Sequence, residues 1–191
     1  MEQLKQRLTT DARYLGNGII KVDSFLNHCI DTMLLTEVGS ELALRLAAQS
    51  KHAITRVLTA ETSGIVPALT TAQALGVPMV YARKKKPVTL TAECYQSVAP
   101  SHTKGDLVTL YVSSEYLGAG DYVVIVDDFL GFGETAEAML DIVEQSGATL
   151  CGVGFVLEKI YEKGRQHLRQ LQVPVIALAA IDLQGDQIVV I

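Results

Sequence analysis

The sequence is short of basic charge, of cysteine and of long apolar runs, and each shortage excludes something. Its 16 lysines and arginines are outnumbered by 21 aspartates and glutamates, for a formal net charge of −5. Affinity for a nucleic-acid backbone comes from many lysine and arginine contacts that release counterions, and no basic excess exists here to supply them. The three cysteines, Cys29, Cys94 and Cys151, are an odd number at wide, irregular spacing, which fits neither a disulfide framework nor a zinc pattern. They are read as reduced thiols in a cytoplasmic protein. The four histidines, His28, His52, His102 and His167, are equally scattered and lack metal-ligand spacing. No apolar run approaches the roughly 18 to 20 residues that span a bilayer. Met1 to Leu8 mixes charged with apolar residues where a secretory signal would be continuously apolar.

What the sequence has is core. Hydrophobic residues fill 49% of 191 positions and charged ones 19%, too apolar and too weakly charged for a disordered chain. A chain of this length buries about 70% of its extended surface on folding, enough for one core. Without repeats or a low-complexity linker, residues 1–191 are expected to form a single domain. Apolar runs at 54–59, 77–82, 107–112, 122–126, 149–157 and 173–178 alternate with helical patterns. Near-continuous apolar strands separated by helices imply an α/β fold, its mostly parallel sheet flanked by helices on both faces. One helix is expected over 133–146, where Ala136, Met139, Leu140 and Val143 share a face, with Gly147 as its C-terminal glycine. A second follows Asp31 as N-cap and pairs Glu41 with Arg45, and a third near Pro67 ends at Gly76. Two stretches resist this alternation: residues 1–30, and an aperiodic connection of more than 20 residues after Arg83.

The most informative segment is the strand Val123 to Val126, which ends in Asp127 and Asp128, passes through Phe129, Leu130, Gly131 and Phe132, and enters a helix at Gly133 or Glu134. Such a turn aims backbone N–H groups at one spot beside the positive end of a helix dipole, which suits a phosphate, and Thr135 adds a hydroxyl. Two carboxylates at a strand's carboxyl end suit a sugar diol, in the place where open α/β sheets bind ligands. Neither the dinucleotide fingerprint nor the Gly-Lys-Ser/Thr of an ATP-binding loop is present. Taken by spacing alone, a glycine turn of this kind also serves geometry only.

The segment resembles the phosphoribosyl-diphosphate (PRPP) motif of the type I phosphoribosyltransferases. Glu61, Thr62, Ser63, Gly64 and Ile65, followed by Pro67 and Ala68, resemble that family's pyrophosphate loop. Tyr81, Ala82, Arg83 and Lys84 resemble the basic strand end of its adenine and xanthine branch. The stretch from Ile20 to Asp31, with Val156, Leu157, Glu158 and Lys159, is similar to the bacterial xanthine phosphoribosyltransferases across nearly the whole chain.

That resemblance implies transfer of the 5-phosphoribosyl group from PRPP to N9 of xanthine in purine salvage, with Mg2+, in a homodimer. It implies that Gly131, Phe132, Gly133, Glu134 and Thr135 hold the 5′-phosphate, and that Asp127 and Asp128 face the ribose hydroxyls and orient the magnesium. It gives the diphosphate to Thr62, Ser63, Gly64, Arg83 and Lys84, the basic residues acting within one chain or across a dimer interface. Xanthine goes to Ile20, Asn27 and Lys159. Residues 1–30 become a hood and residues 84–105 a flexible catalytic loop that excludes water.

Two departures matter. Phe132 stands where many members have threonine, and Gly131 stands where some purine enzymes carry an acidic residue, four positions after Asp127. No side-chain general base is therefore assigned, and Glu134 is expected to use only its N–H beside the phosphate. Adenine is the alternative base. A PRPP-sensing regulator on the same fold is the alternative class, disfavoured because the one dense cationic cluster, Arg83 to Lys86, already has a diphosphate to bind.

Overall fold

A computed structural model describes residues 1–86, 88, 93–100 and 107–191. The N-terminal segment is helix α1 (Glu2–Asp11), a two-strand ribbon of β1 (Arg13–Tyr14) and β2 (Ile20–Lys21), and one wide helical turn at Asp23–Asn27. Helix α2 (Thr32–Gln49) starts where the Asp31 carboxylate accepts the Leu34 N–H at 3.1 Å, satisfying one of the N–H groups that a helix start leaves unpaired. The Glu41 carboxylate accepts from Arg45 Nε at 2.7 Å.

Strand β3 (Arg56–Ala60) leads through α3 (Ile65–Leu75) to β4 (Met79–Ala82). After β5 (Cys94–Pro100) and β6 (Leu107–Ser113), β7 (Tyr122–Leu130) leads through α4 (Glu134–Ser146) to β8 (Thr149–Lys159), then β9 (Val175–Gln184) and β10 (Gln187–Val190). The main sheet has the order β10-β9-β8-β7-β3-β4, parallel throughout except for the terminal hairpin of β9 and β10.

The apolar strand runs have a two-sided cause. Val57, Val124 and Val126 face the core under α1, α2 and α3, while Leu58, Val123 and Ile125 face a second core under α4. Successive side chains point to opposite faces, so a strand covered on both faces must be apolar at every position. Gly76 and Gly147 end α3 and α4 at φ values of +69° and +70°, a conformation that costs glycine least.

Three expectations are corrected. The run at 107–112 belongs not to the parallel sheet but to an antiparallel ribbon of β5 with β6. Within the segment read as an aperiodic loop at 84–105, Cys94–Pro100 is a strand; only Ala99 on it is fully buried, too little apolar alternation to mark a strand in sequence. Positions 87, 89–92 and 101–106 of that segment and its end lie outside the described residues. Strand β7 also runs to Leu130, so the acidic pair lies inside the strand.

Helices α2 and α3 touch most closely at Gly39, where a Cβ would stand 2.3 Å from Thr70 Oγ1 and 2.4 Å from the Thr70 carbonyl carbon. Alanine would gain about 1 kcal/mol of helix propensity at this position. Overpacking against backbone costs about 1–3 kcal/mol and wins. Gly39→Ala is expected to lower the melting temperature by about 2–4 °C. A melting temperature at or above that of the parent, by calorimetry, would show that the helices part freely.

Candidate active site

The chain moves outward from β3 to β4 on one side of the sheet and from β7 through β8 to β9 on the other. Strands β3 and β7 are therefore neighbours whose connections leave in opposite directions, and the crevice at their carboxyl ends is where open α/β sheets take ligands. Asp127 and Asp128 come to that crevice from β7, and Thr62, Ser63 and Gly64 from the turn after β3.

Two clefts meet at the acidic pair. One, of about 320 Å³, is lined by Thr62, Ser63 and Lys84, with Ala99 and Pro100 from β5. The other, of about 340 Å³, is lined by Ile20, Asn27, Lys159 and the turn from Gly131 to Thr135. Asp127, Asp128, Phe129 and Thr135 line both. The predicted site residues from the N-terminal segment, β7, β8 and the turn after β3 thus come together around one carboxylate pair.

Arg83 is the exception. It lines a separate groove at the β4 edge with Tyr81, Tyr111 and Tyr116, its guanidinium 5.9 Å from the Tyr81 ring centre. Neighbouring side chains on extended backbone point opposite ways, so Lys84 enters the crevice and Arg83 leaves it. Glu61 ties both down, through Arg83 Nε at 3.3 Å and the Lys84 N–H at 3.0 Å.

The pair is electrostatically tense. Asp127 is 7% exposed, and its Oδ1 accepts the Asp128 N–H at 2.9 Å. Burial first, and then the neighbouring Asp128 charge, push its carboxyl well above the ordinary carboxylate range, with Lys84 opposing. Burial also raises Asp128, against its hydrogen bonds and Lys159. Glycine at 64 is required by close approach, since a Cβ would stand 2.3 Å from Asp127 Oδ1. Two adjacent hard oxygen donors held at this cost suit a cation such as magnesium, which takes one or two carboxylates and completes its shell with water and substrate phosphates. Among the described residues no cluster of three or more His, Cys, Asp or Glu side chains could cage a metal by itself.

Gly133 caps α4 at φ +93°, leaving the first N–H groups of the helix to face the turn. That turn is braced by a residue the sequence did not single out. The Gly164 N–H donates to the Gly131 carbonyl at 3.0 Å, and a Cβ on Gly164 would stand 2.1 to 2.8 Å from Gly131 O, Phe132 C and Gly133 N. Arg165 next to it forks onto Glu158, with Nε donating at 2.7 and 2.9 Å, while its Nη1 donates to the Val175 carbonyl at 2.9 Å. Glu158 is therefore an anchor on the side of β8 away from the cleft. Lys159 faces the cleft, donating to the Gly18 carbonyl and to Glu162 Oε1, both at 3.1 Å, with its ammonium 5.3 Å from the Phe129 ring centre. Tyr161 Oη donates to the same Gly18 carbonyl at 2.9 Å. The three cysteines are free thiols. Among the described residues no helix is long and apolar enough to cross a membrane.

Comparison with known proteins agrees with this geometry. Residues 33–187 match the phosphoribosyl transferase domain. The xanthine phosphoribosyltransferase of Moorella thermoacetica is 45% identical over 189 residues, 98% of this chain and 95% of that protein. That of Deinococcus deserti is 45% identical over 181 residues, 95% and 92% of the two chains. The crystal structure of adenine phosphoribosyltransferase from Rhodothermus marinus superposes with a TM-score of 0.73 at 24% identity, covering 96% of this chain and all of that one, a likeness of fold. With an acidic pair at the sheet's switch point and identity of this extent over nearly its whole length, the chain belongs to the phosphoribosyltransferase family, among its xanthine phosphoribosyltransferases.

Proposed function

We propose that this enzyme transfers the 5-phosphoribosyl group of PRPP to N9 of xanthine, with the diphosphate and base in the two clefts and the ribose over the acidic pair between them. One observation carries the assignment: Ile20 and Asn27 from the N-terminal segment and Lys159 from the end of β8 line one cleft together with Asp128 and the phosphate turn. In it, Lys159 donates to the 6-carbonyl, Asn27 bonds the 2-carbonyl and Ile20 gives apolar contact. The amides from Gly131 to Thr135 and the Thr135 hydroxyl take the 5′-phosphate, and the Glu134 N–H joins them. Thr62, Ser63, Gly64 and Lys84 take the diphosphate and oppose the charge that builds there as its bond to ribose breaks. Magnesium, carried by PRPP and oriented by Asp127 and Asp128, supplies further neutralisation of that leaving group. Residues 1–30 form the hood, and the segment 84–105 is assigned the exclusion of water.

A donor facing a purine carbonyl discriminates between bases, because an amino group opposite Lys159 would set donor against donor. Initial rates with xanthine, guanine, hypoxanthine and adenine at fixed PRPP are expected to rank xanthine first. Adenine as the best substrate would overturn the assignment.

The acidic pair sets a second expectation. Both carboxyls are raised in the fold, so between the ordinary carboxylate range and the raised values the folded state holds more protons than the unfolded state. Stability contributed by these groups therefore falls as pH rises through that window. Asp127→Asn should melt above the parent at pH 8, the gap closing as pH falls toward the carboxylate range, while kcat/KM drops by about 10²-fold from lost orientation. A variant that melts below the parent at pH 8 contradicts the tension read here.

Arg83, pointing out of its own crevice, is assigned to the diphosphate of a second copy in a homodimer. Arg83→Ala is then expected to raise the KM for PRPP, and mixing it with the inactive Asp127→Asn chain should restore activity in hybrid dimers. No recovery on mixing would place Arg83 in its own chain's site.

A further inference from the structure

One carboxylate in the base cleft has no part in the scheme above. Glu162 follows β8, and its side chain is only 11% exposed. It lines the cleft with Lys159 and Asn27. Its two oxygens face different walls: Oε1 accepts from Lys159 Nζ at 3.1 Å and would stand 3.3 Å from a Cβ on Gly18, whereas Oε2 would stand 2.4 Å from a Cβ on Gly131. Glycines from two distant segments thus make room for this one carboxylate. The space above position 131, four residues after Asp127, is filled by a carboxylate arriving from the loop after β8. Among the described residues Oε2 receives no hydrogen bond, and burial of so much of a carboxylate is costly unless both oxygens find donors.

The pairing of Lys159 with Glu162 has a chemical complement. With Lys159 on the 6-carbonyl of a purine, the next ring atom along the same edge is N7. A purine that offers its N9 lone pair to the sugar carries its imidazole proton on N7. A donor beside an acceptor therefore meets a carbonyl beside an N–H. We propose that Glu162 reads the N7–H of the bound base and takes its proton during transfer, a role that rests on the assignment of Lys159 to the 6-carbonyl. In that step the N9 lone pair forms the bond to ribose C1, and the bond from C1 to the diphosphate oxygen breaks with its electron pair leaving on the diphosphate. The N7–H bonding pair returns to the imidazole ring, and the proton passes to Glu162 and then to water at the cleft mouth.

Glu162→Gln tests this. Glutamine keeps one oxygen for Lys159 and puts an NH2 group where the second oxygen faced N7–H, so donor meets donor. Binding is compared, in parent and variant, for 9-deazaxanthine, which keeps N7–H, and 7-deazaxanthine, which has carbon there and retains both carbonyls. The variant is expected to lose about tenfold or more in affinity for 9-deazaxanthine and none for 7-deazaxanthine, whose retained binding also shows that the variant is folded. For xanthine, kcat should fall by about 10²-fold with a smaller change in KM. Equal losses for the two analogues would mean that Glu162 only positions Lys159, and no loss for either would remove it from the site; both overturn the proposal. A parent enzyme that binds neither analogue and forms no xanthosine monophosphate would overturn the base assignment and this proposal with it.

Discussion

The site depends on one half-buried ion pair outside it. Glu158, 7% exposed near the end of β8, is gripped by two nitrogens of Arg165, and a third Arg165 nitrogen donates to the Val175 carbonyl at the start of β9. Forked pairing of this kind fixes the orientation of the guanidinium as well as its distance. It turns the loop from Ile160 to Gln166 back over the sheet, which presses Gly164 against the backbone from Gly131 to Gly133 and brings Tyr161 and Glu162 to the base cleft. Removing one partner of a buried pair costs about 3–5 kcal/mol when the other stays fully desolvated. Arg165 is partly exposed, so the lower part of that range applies here. The larger consequence is positional, since the phosphate turn would lose its brace and the base cleft one wall.

A second tension sits at the ligand. Asp127 and Asp128 are adjacent, Asp127 is buried, and burial raises both carboxyls while Lys84 and Lys159 oppose the shift. Without substrate the arrangement is a liability in the fold. On the proposed function, the magnesium that PRPP would carry brings positive charge to this place, and positive charge also develops on the ribose as its bond to diphosphate breaks. Carboxylates that meet positive charge as the sugar reacts are one way differential binding is built from ordinary groups.

The parts of this structure that were legible in sequence are those set by local or periodic rules. Alternation on both faces of the sheet wrote itself as apolar runs, and Asp31, Gly76 and Gly147 marked helix ends because capping chemistry is local. The acidic pair and phosphate turn are contiguous, so they were visible as one segment. The β5 strand was not, because it buries one face thinly against the second core and leaves Gln96 and Val98 in solvent. Glu158 and Lys159 stand side by side in the sequence, yet successive strand positions send the two side chains to opposite faces, one to Arg165 and one to the cleft. The same parity separates Arg83 from Lys84. Gly164 and Glu162 carried no signal, since the contacts that place them against the cleft are with segments more than 25 residues away, Gly164 at Gly131 and Glu162 at Gly131 and Gly18.

Fold likeness alone cannot choose the base. Adenine phosphoribosyltransferases share this sheet, and nothing in strand order distinguishes a 6-oxo from a 6-amino purine. The choice must lie in the polarity of the groups at the cleft wall. Lys159 can only donate, and it is only partly exposed, so an amino group facing it would set donor against donor in a confined place. Glu162 pairs with that ammonium through Oε1 at 3.1 Å. Lys159 has three hydrogens to give; one goes to Glu162, one to the Gly18 carbonyl, and on the proposed assignment the third reads the base. Specificity on this reading comes less from the shape of the cleft than from a donor held in place on two sides, with one direction left open.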